Sequence, residues 1–256
     1  EANELKFELK ILELRLESIT NEKADLERDI LLFNRRQYEI LGDLIKELLR
    51  LKAEYQQCIA EQAKQEQNQE QEEIDELEEE AEQAKDTYDE YSEEYEEVQQ
   101  TEVKQLNELE EKELKNIFRR ACNLCHPDKV TEEKKGQASQ IFIQLKEAYD
   151  KNDIAAVKII YAKLQQGDFS QTKSSKLKSI DILRSSISEI KYKLEQAIQA
   201  LHKLSTDPVT MTINQIGKNE SQWVDYLHNK RVSFEGEIAA WQEKLEQLRV
   251  GKKKKK

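Results

Sequence analysis

An all-α fold built from long helices is what this sequence predicts, and three observations carry the expectation. Glycine numbers 6 and proline 2 in 256 residues, roughly a quarter of their ordinary combined share. Sandwiches, barrels and doubly wound sheets place turn residues at nearly every corner, and eight cannot supply them or a glycine-rich phosphate loop. Apolar side chains recur at alternating spacings of three and four over most of the chain, the mark of helices that coil about partners. Hydrophobic residues make up 37% and charged residues another 37%, too lean a mixture for one large globular core. The expected architecture is elongated: antiparallel coiled-coil or helical hairpins with an embedded module of shorter helices.

Residues 1–110 read as an N-terminal coiled-coil hairpin. Its first arm carries the seam Leu5, Leu9, Leu12, Leu16, Ile19, Leu26, Ile30, Phe33, Ile40, Leu44, Leu48, Leu51 and Tyr55, broken only at Lys23 and Gln37. Leu31, Leu32, Leu41, Ile45 and Leu49 widen the stripe towards a bundle face. The Gln- and Glu-rich stretch 56–72 lacks a seam and is the expected bend. A thinner second seam follows through Ile74, Leu77, Ala81, Ala84, Tyr88, Tyr91, Tyr95 and Val98, placed antiparallel to the first. Residues 61–110 hold 21 acidic and 3 basic side chains, so the net charge of −12 is unevenly spread. A solvated coil surface is the first reading of that acidity, and a surface that repels nucleic acid or attracts a basic partner is the other.

Residues 111–168 change to short amphipathic helices. Leu114, Ile117, Phe118, Ala121, Cys122 and Cys125 share one helical face, and Lys112, Lys115, Arg119 and Arg120 lie on the other. The helix must stop near His126, because a residue before proline is pushed out of the helical region. Pro127 fixes its own φ, so His126-Pro127-Asp128-Lys129 reads as a stiff, exposed corner. Thr131 is the expected cap of the next helix, with Gly136 delaying its start; its apolar face is Ala138, Phe142, Leu145, Ala148 and Tyr149. Asp153 is the expected cap of a third helix carrying Ile154, Val157, Ile160, Tyr161 and Leu164, with Gly167 as its stop.

Residues 177–250 read as a C-terminal helical hairpin. One seam is Ile180, Leu183, Ile187, Ile190, Leu194, Ala197, Leu201 and Leu204; the other is Val224, Leu227, Phe234, Ile238, Trp241, Leu245 and Leu248. Between them 205–219, with Pro208 and Gly217, reads as a loop. Residues 251–256 form a basic tail. The chain starts at Glu1 and its single methionine is Met211, so it reads as either a fragment or a trimmed form of the native chain.

The order Glu-Leu-Lys-Asn-Ile-Phe-Arg-Arg-Ala, His-Pro-Asp-Lys and Ala-x-x-x-Phe-x-x-Leu-x-x-Ala-Tyr resembles the J domain of DnaJ-like co-chaperones. In that family a basic second helix and the His-Pro-Asp loop dock on a DnaK-type ATP-dependent chaperone and stimulate its ATPase. The resemblance implies that His126, Pro127 and Asp128 are the essential contacts. It also implies that Lys112, Lys115, Arg119, Arg120 and Lys129 supply a basic docking surface. Such a surface speeds encounter with an acidic partner. Cys125 stands where family members often have tyrosine, and 153–166 is longer and more apolar than the family's fourth helix. The letters Tyr38-Glu-Ile-Leu-Gly42 match the family's first helix but lie far upstream. The family's Gly/Phe-rich linker and cysteine repeats are missing.

The implied function is a non-enzymatic co-chaperone whose coiled coils hold or choose an unidentified client, with homodimer pairing through the same seams as a further arrangement. The rival is a structural scaffold or adaptor with an inactive J-like module. Cys122-Asn-Leu-Cys125-His126 has the letters of a haem-attachment site or half a zinc site. Its cysteines lie on the apolar helix face without a second pair, so no metal or other cofactor is expected. The acidic surroundings of Tyr88, Tyr91 and Tyr95 disfavour nucleic acid, which needs a positive groove. No run of 18 apolar residues spans a membrane, and the three cysteines suit a reducing, cytoplasmic setting.

Overall fold

The computed structural model describes residues 1–65, 71–100, 103–126, 130, 132–166 and 180–254, with only the backbone described at 132 and 251–254. Among them the chain forms eight α-helices and no strand, an all-α fold. They are α1 (Ala2–Gln65), α2 (Gln71–Gln100), α3 (Glu108–Cys125), α4 (Glu132–Asp150), α5 (Ile154–Gln166), α6 (Ile180–Ser205), α7 (Pro208–Ile216) and α8 (Glu220–Lys254). Two compact units share them: Glu1–Leu32 with Glu102–Asn214, and Phe33–Thr101 with Gln215–Lys256.

In the first unit, α6 runs parallel to the start of α1. Leu9 is buried among Leu183, Ile187 and Ile190. The ion pairs Arg184–Glu1, at 2.5 Å, and Lys191–Glu8, at 2.8 Å, keep the same offset, which fixes the direction. The module of α3, α4 and α5 has its own core, in which Leu114, Phe118, Ala121, Cys122 and Cys125 meet Leu145, Tyr149, Val157 and Leu164. Phe118 and Tyr149 stack with centroids 3.8 Å apart. Each fully buried side chain of this size contributes about 2 kcal/mol, so the module holds a dense core for its length.

The helix ends of the module follow local chemistry. Asn107 and Glu110 close a capping box: the Asn107 carboxamide accepts from the N–H groups of Leu109 and Glu110, and Glu110 accepts from the Asn107 N–H. This start is earlier than residue 111, and the Asn-x-x-Glu spacing was a visible signal for it. Gly136 does not delay α4; it lies inside the helix in open space. Asp153 caps α5 by accepting from the Ala156 N–H at 3.1 Å. The turn before it needs Asn152 at φ 57, a conformation asparagine tolerates better than most residues. Thr131 and Gly167 lie outside the described residues.

In the second unit, α8 runs parallel to α1. Phe33 meets Trp223 edge-on at 5.7 Å, and Tyr55 meets Trp241 at 5.3 Å. Leu48, Leu51, Ile238 and Leu245 form the buried seam between them. The other edge of α1 takes α2 in antiparallel register: Tyr38 donates to Glu94 at 2.6 Å, Tyr95 to Asp43 at 2.9 Å and Gln56 to Glu80 at 3.4 Å. A Cβ at Gly42 would fall 2.2 Å from the Tyr95 ring, so only glycine lets that ring lie against the helix. No residue of α2 is fully buried, as alanines and tyrosines in place of leucines foretell. Residues 56–65 of the expected bend are helical, and 66–70 lie outside the described residues.

The segment 205–219 is not simply a loop. Pro208 opens α7, where its missing N–H costs nothing, and Asp207 accepts from the Val209 N–H at 2.8 Å. Gly217, at φ 107, ends it, and its carbonyl accepts from the Trp223 indole at 2.8 Å. Proline and glycine, expected as breakers within one loop, are the start and stop of a short helix.

Candidate functional site

The sequence places its candidate residues on α3 and the corner after it. His126 caps α3, leaving the helix at φ −61 and ψ 123 while its N–H still donates to the Cys122 carbonyl. The expectation of an exposed corner fails at this residue. The His126 ring is buried, edge-on to Phe142 of α4 at 5.6 Å, because α3 and α4 converge there and Phe142 fills the gap. Pro127, Asp128 and Lys129 lie outside the described residues.

The basic residues of α3 divide. Arg119 pairs with Asp25 of α1. Lys115 pairs with Glu111 at 3.1 Å and reaches Asp29 of α1 at 4.0 Å. Lys112 and Arg120 are exposed. On α4, Lys146 bridges Asp150 at 3.0 Å and Glu27 of α1 at 3.2 Å. Three acidic side chains of α1 thus face cations of the module.

The anchor of this contact is Arg28, which lies outside the apolar seam. It is only 1% exposed. Its guanidinium donates to the Asn152 carboxamide oxygen at 2.8 and 3.0 Å and to Glu111 at 3.2 Å. It also lies 5.1 Å from the centre of the Tyr149 ring. Asn152 in turn donates to the Lys104 carbonyl at 2.9 Å, and Tyr149 donates to Asp25. The α1 seam rotates here. Ala24, Arg28 and Asp29 are buried in place of the expected Leu26 and Ile30, with Ala24 entering the module core. The break at Lys23 was the one sequence signal of this change. The first-helix letters are placed elsewhere: Tyr38 packs on Tyr91 at 5.4 Å and Gly42 on Tyr95, both within the second unit.

Electrostatics follow the burial. Burial pushes the Glu111 carboxyl up, but the adjacent Lys115 and Arg28 outweigh it and hold the group below the ordinary range. Burial raises the Asp150 carboxyl, only partly countered by Lys146. The hydrogen bond to Asp25 stabilises the charged form of Arg119. Burial pushes the Cys125 thiol up to about 12, so it stays protonated at neutral pH and suits packing rather than thiolate chemistry. Among the described residues no group of three or more His, Cys, Asp or Glu is placed to hold a metal ion. No described helix is long and apolar enough to cross a membrane. Neither a family model, nor a curated protein, nor a solved structure matches the chain.

Proposed function

We propose that the α3–α5 module works as a J-domain co-chaperone: it docks on a DnaK-type chaperone, stimulates ATP hydrolysis there, and the long helices hold or select a client. One observation supports this reading above the others. His126 leaves α3 in extended conformation where the letters His-Pro-Asp-Lys begin, and it is braced by Phe142 against the next helix. A helix end held in this way loses little conformational freedom on docking. The chain itself performs no chemistry in this reading, and its free cysteines suit a reducing, cytoplasmic setting.

A second reading, a scaffold or adaptor with an inactive module, is favoured by one finding. Arg119 and Lys115, two of the cations expected to meet a partner, face Asp25 and Asp29 of the same chain. Steady-state ATP turnover by a panel of purified DnaK-type chaperones separates the two. The full chain is expected to raise turnover, with Asp128→Asn and His126→Gln each losing the effect at unchanged helicity. No stimulation, or equal stimulation by all three proteins, leaves the scaffold reading.

A further inference from the structure

We infer that the first turns of α1 carry a pairing face for a second copy of this chain, bound antiparallel through Phe7, Ile11 and Leu14. Pairing of this kind needs no chaperone, so it stands whether or not the module docks on one.

The start of α1 is apolar on two opposite sides. Leu5, Leu9 and Leu12 pack against Leu183, Ile187 and Ile190 of α6. Phe7, Ile11 and Leu14 fall at i, i+4 and i+7, in one line along the other side of the helix. They are 69%, 48% and 50% exposed. Single exposed apolar residues are ordinary, but a line of three at helical spacing marks an interaction face. A homodimer formed through the Leu5, Leu9 and Leu12 seam has to displace α6. One formed through the opposite line displaces no described helix.

The charges beside the line decide what covers it and in which direction. Written as heptads, Phe7 and Leu14 are d positions and Ile11 and Ser18 are a positions; Lys10 and Glu17 are g, and Glu8, Arg15 and Glu22 are e. A parallel pair sets each g against the e that lies further along the other helix. That joins Lys10 to Arg15 and Glu17 to Glu22, both like-charged. An antiparallel pair sets g against g and e against e. With Ile11 layered on Leu14 of the second copy, Lys10 meets Glu17 and Glu8 meets Arg15, and the two-fold axis makes both contacts twice. Shifted by one heptad, the antiparallel pair sets Lys10 on Lys10 and Glu8 on Glu8. Within the chain Glu8 also meets Lys191 at 2.8 Å and Lys10 meets Glu13 at 3.8 Å, but carboxylates and ammonium groups each hold more than one partner.

In the favoured register Phe7 lies over Ser18 of the second copy, a small exposed residue that leaves room for the ring. The paired length, residues 4–21, stops short of Ala24, where α1 enters the module core. The two Arg28 anchors then stand about 45 Å apart along the paired helices, so one pair presents two modules. Three apolar side chains per copy make a small face, and the pair forms reversibly in the micromolar range.

Sedimentation equilibrium of the full chain from about 1 to 300 μM tests this. The mean mass is expected to climb from one chain towards two. Ile11→Glu puts charge into the centre of the face and leaves the α6 side untouched; it is expected to pair at least about ten-fold more weakly at unchanged circular dichroism. Glu8→Arg and Arg15→Glu each bring like charges together and are expected to pair about ten-fold more weakly at low salt. Mixed in equal amounts, these two variants recover wild-type pairing, because each offers the charges the other lacks. A wild type that stays monomeric throughout, or an Ile11→Glu variant that pairs like the wild type, overturns the face. A mass that climbs past two chains does the same, since a two-fold pair closes. A mixture that pairs no better than its separate components overturns the antiparallel register.

Discussion

Arg28→Met puts the α1 anchor to the most direct test. The guanidinium is 1% exposed and supplies both donors to the Asn152 carboxamide oxygen. Asn152 is itself 6% exposed, so its orphaned oxygen finds little water, at about 1–3 kcal/mol. Loss of the guanidinium from the Tyr149 ring adds about 1 kcal/mol. Glu111 is less affected, because it is partly exposed and keeps Lys115. Methionine refills much of the volume and removes a buried charge, which offsets part of the total. The expected net loss is about 2 kcal/mol, and Arg28→Lys, which cannot fork, loses about half as much. Urea unfolding followed by circular dichroism at 222 nm measures it. Trp223 and Trp241 both belong to the second unit, so their emission serves as a comparison probe. A loss below about 1 kcal/mol for Arg28→Met would refute the view that α1 is anchored to the module at this residue.

Three other expectations concern local features. Gly217→Ala must place a Cβ at φ 107 and against the Gln222 side chain; it is expected to destabilise by more than about 1 kcal/mol and to shift Trp223 emission, and a neutral substitution would show that the corner rearranges freely. Of the three thiols, Cys58 is half-buried and Cys122 and Cys125 are buried; a chromogenic disulfide reagent at pH 7.5 should modify Cys58 first and the others only in denaturant, whereas rapid modification of Cys125 would contradict its packing. Acid should weaken the α1–module contact. The Glu111 carboxyl is held below its ordinary value of 4.5, so its stabilisation is present above that value and is lost as pH falls below it through the lowered folded value, while Asp150, whose carboxyl is raised by burial, opposes the trend. Glu111→Gln should flatten the acid limb of a stability–pH curve, and an unchanged limb would assign acid sensitivity elsewhere.

Much of this protein is legible in its residues alone. Heptad spacing and the shortage of glycine and proline determine long helices, because both properties act within a few turns of one chain. The face carrying Leu114, Phe118, Ala121 and Cys125 determines the inner side of α3, and Asp153 its neighbour's cap, for the same local reason. Proline and glycine around α7 misled only in their meaning: each restricts the backbone at its own position, and whether a turn of helix fits between them depends on what buries Thr210 and Ile213. The site shows the boundary more sharply. Lys112, Lys115, Arg119 and Arg120 form one basic face in a helical projection. The tertiary structure alone decides that two of them meet carboxylates more than eighty residues away, and that an arginine on α1 is drawn beneath Tyr149. A charge declares its sign in the sequence, but its partner and its solvation are set by whichever helix packs beside it.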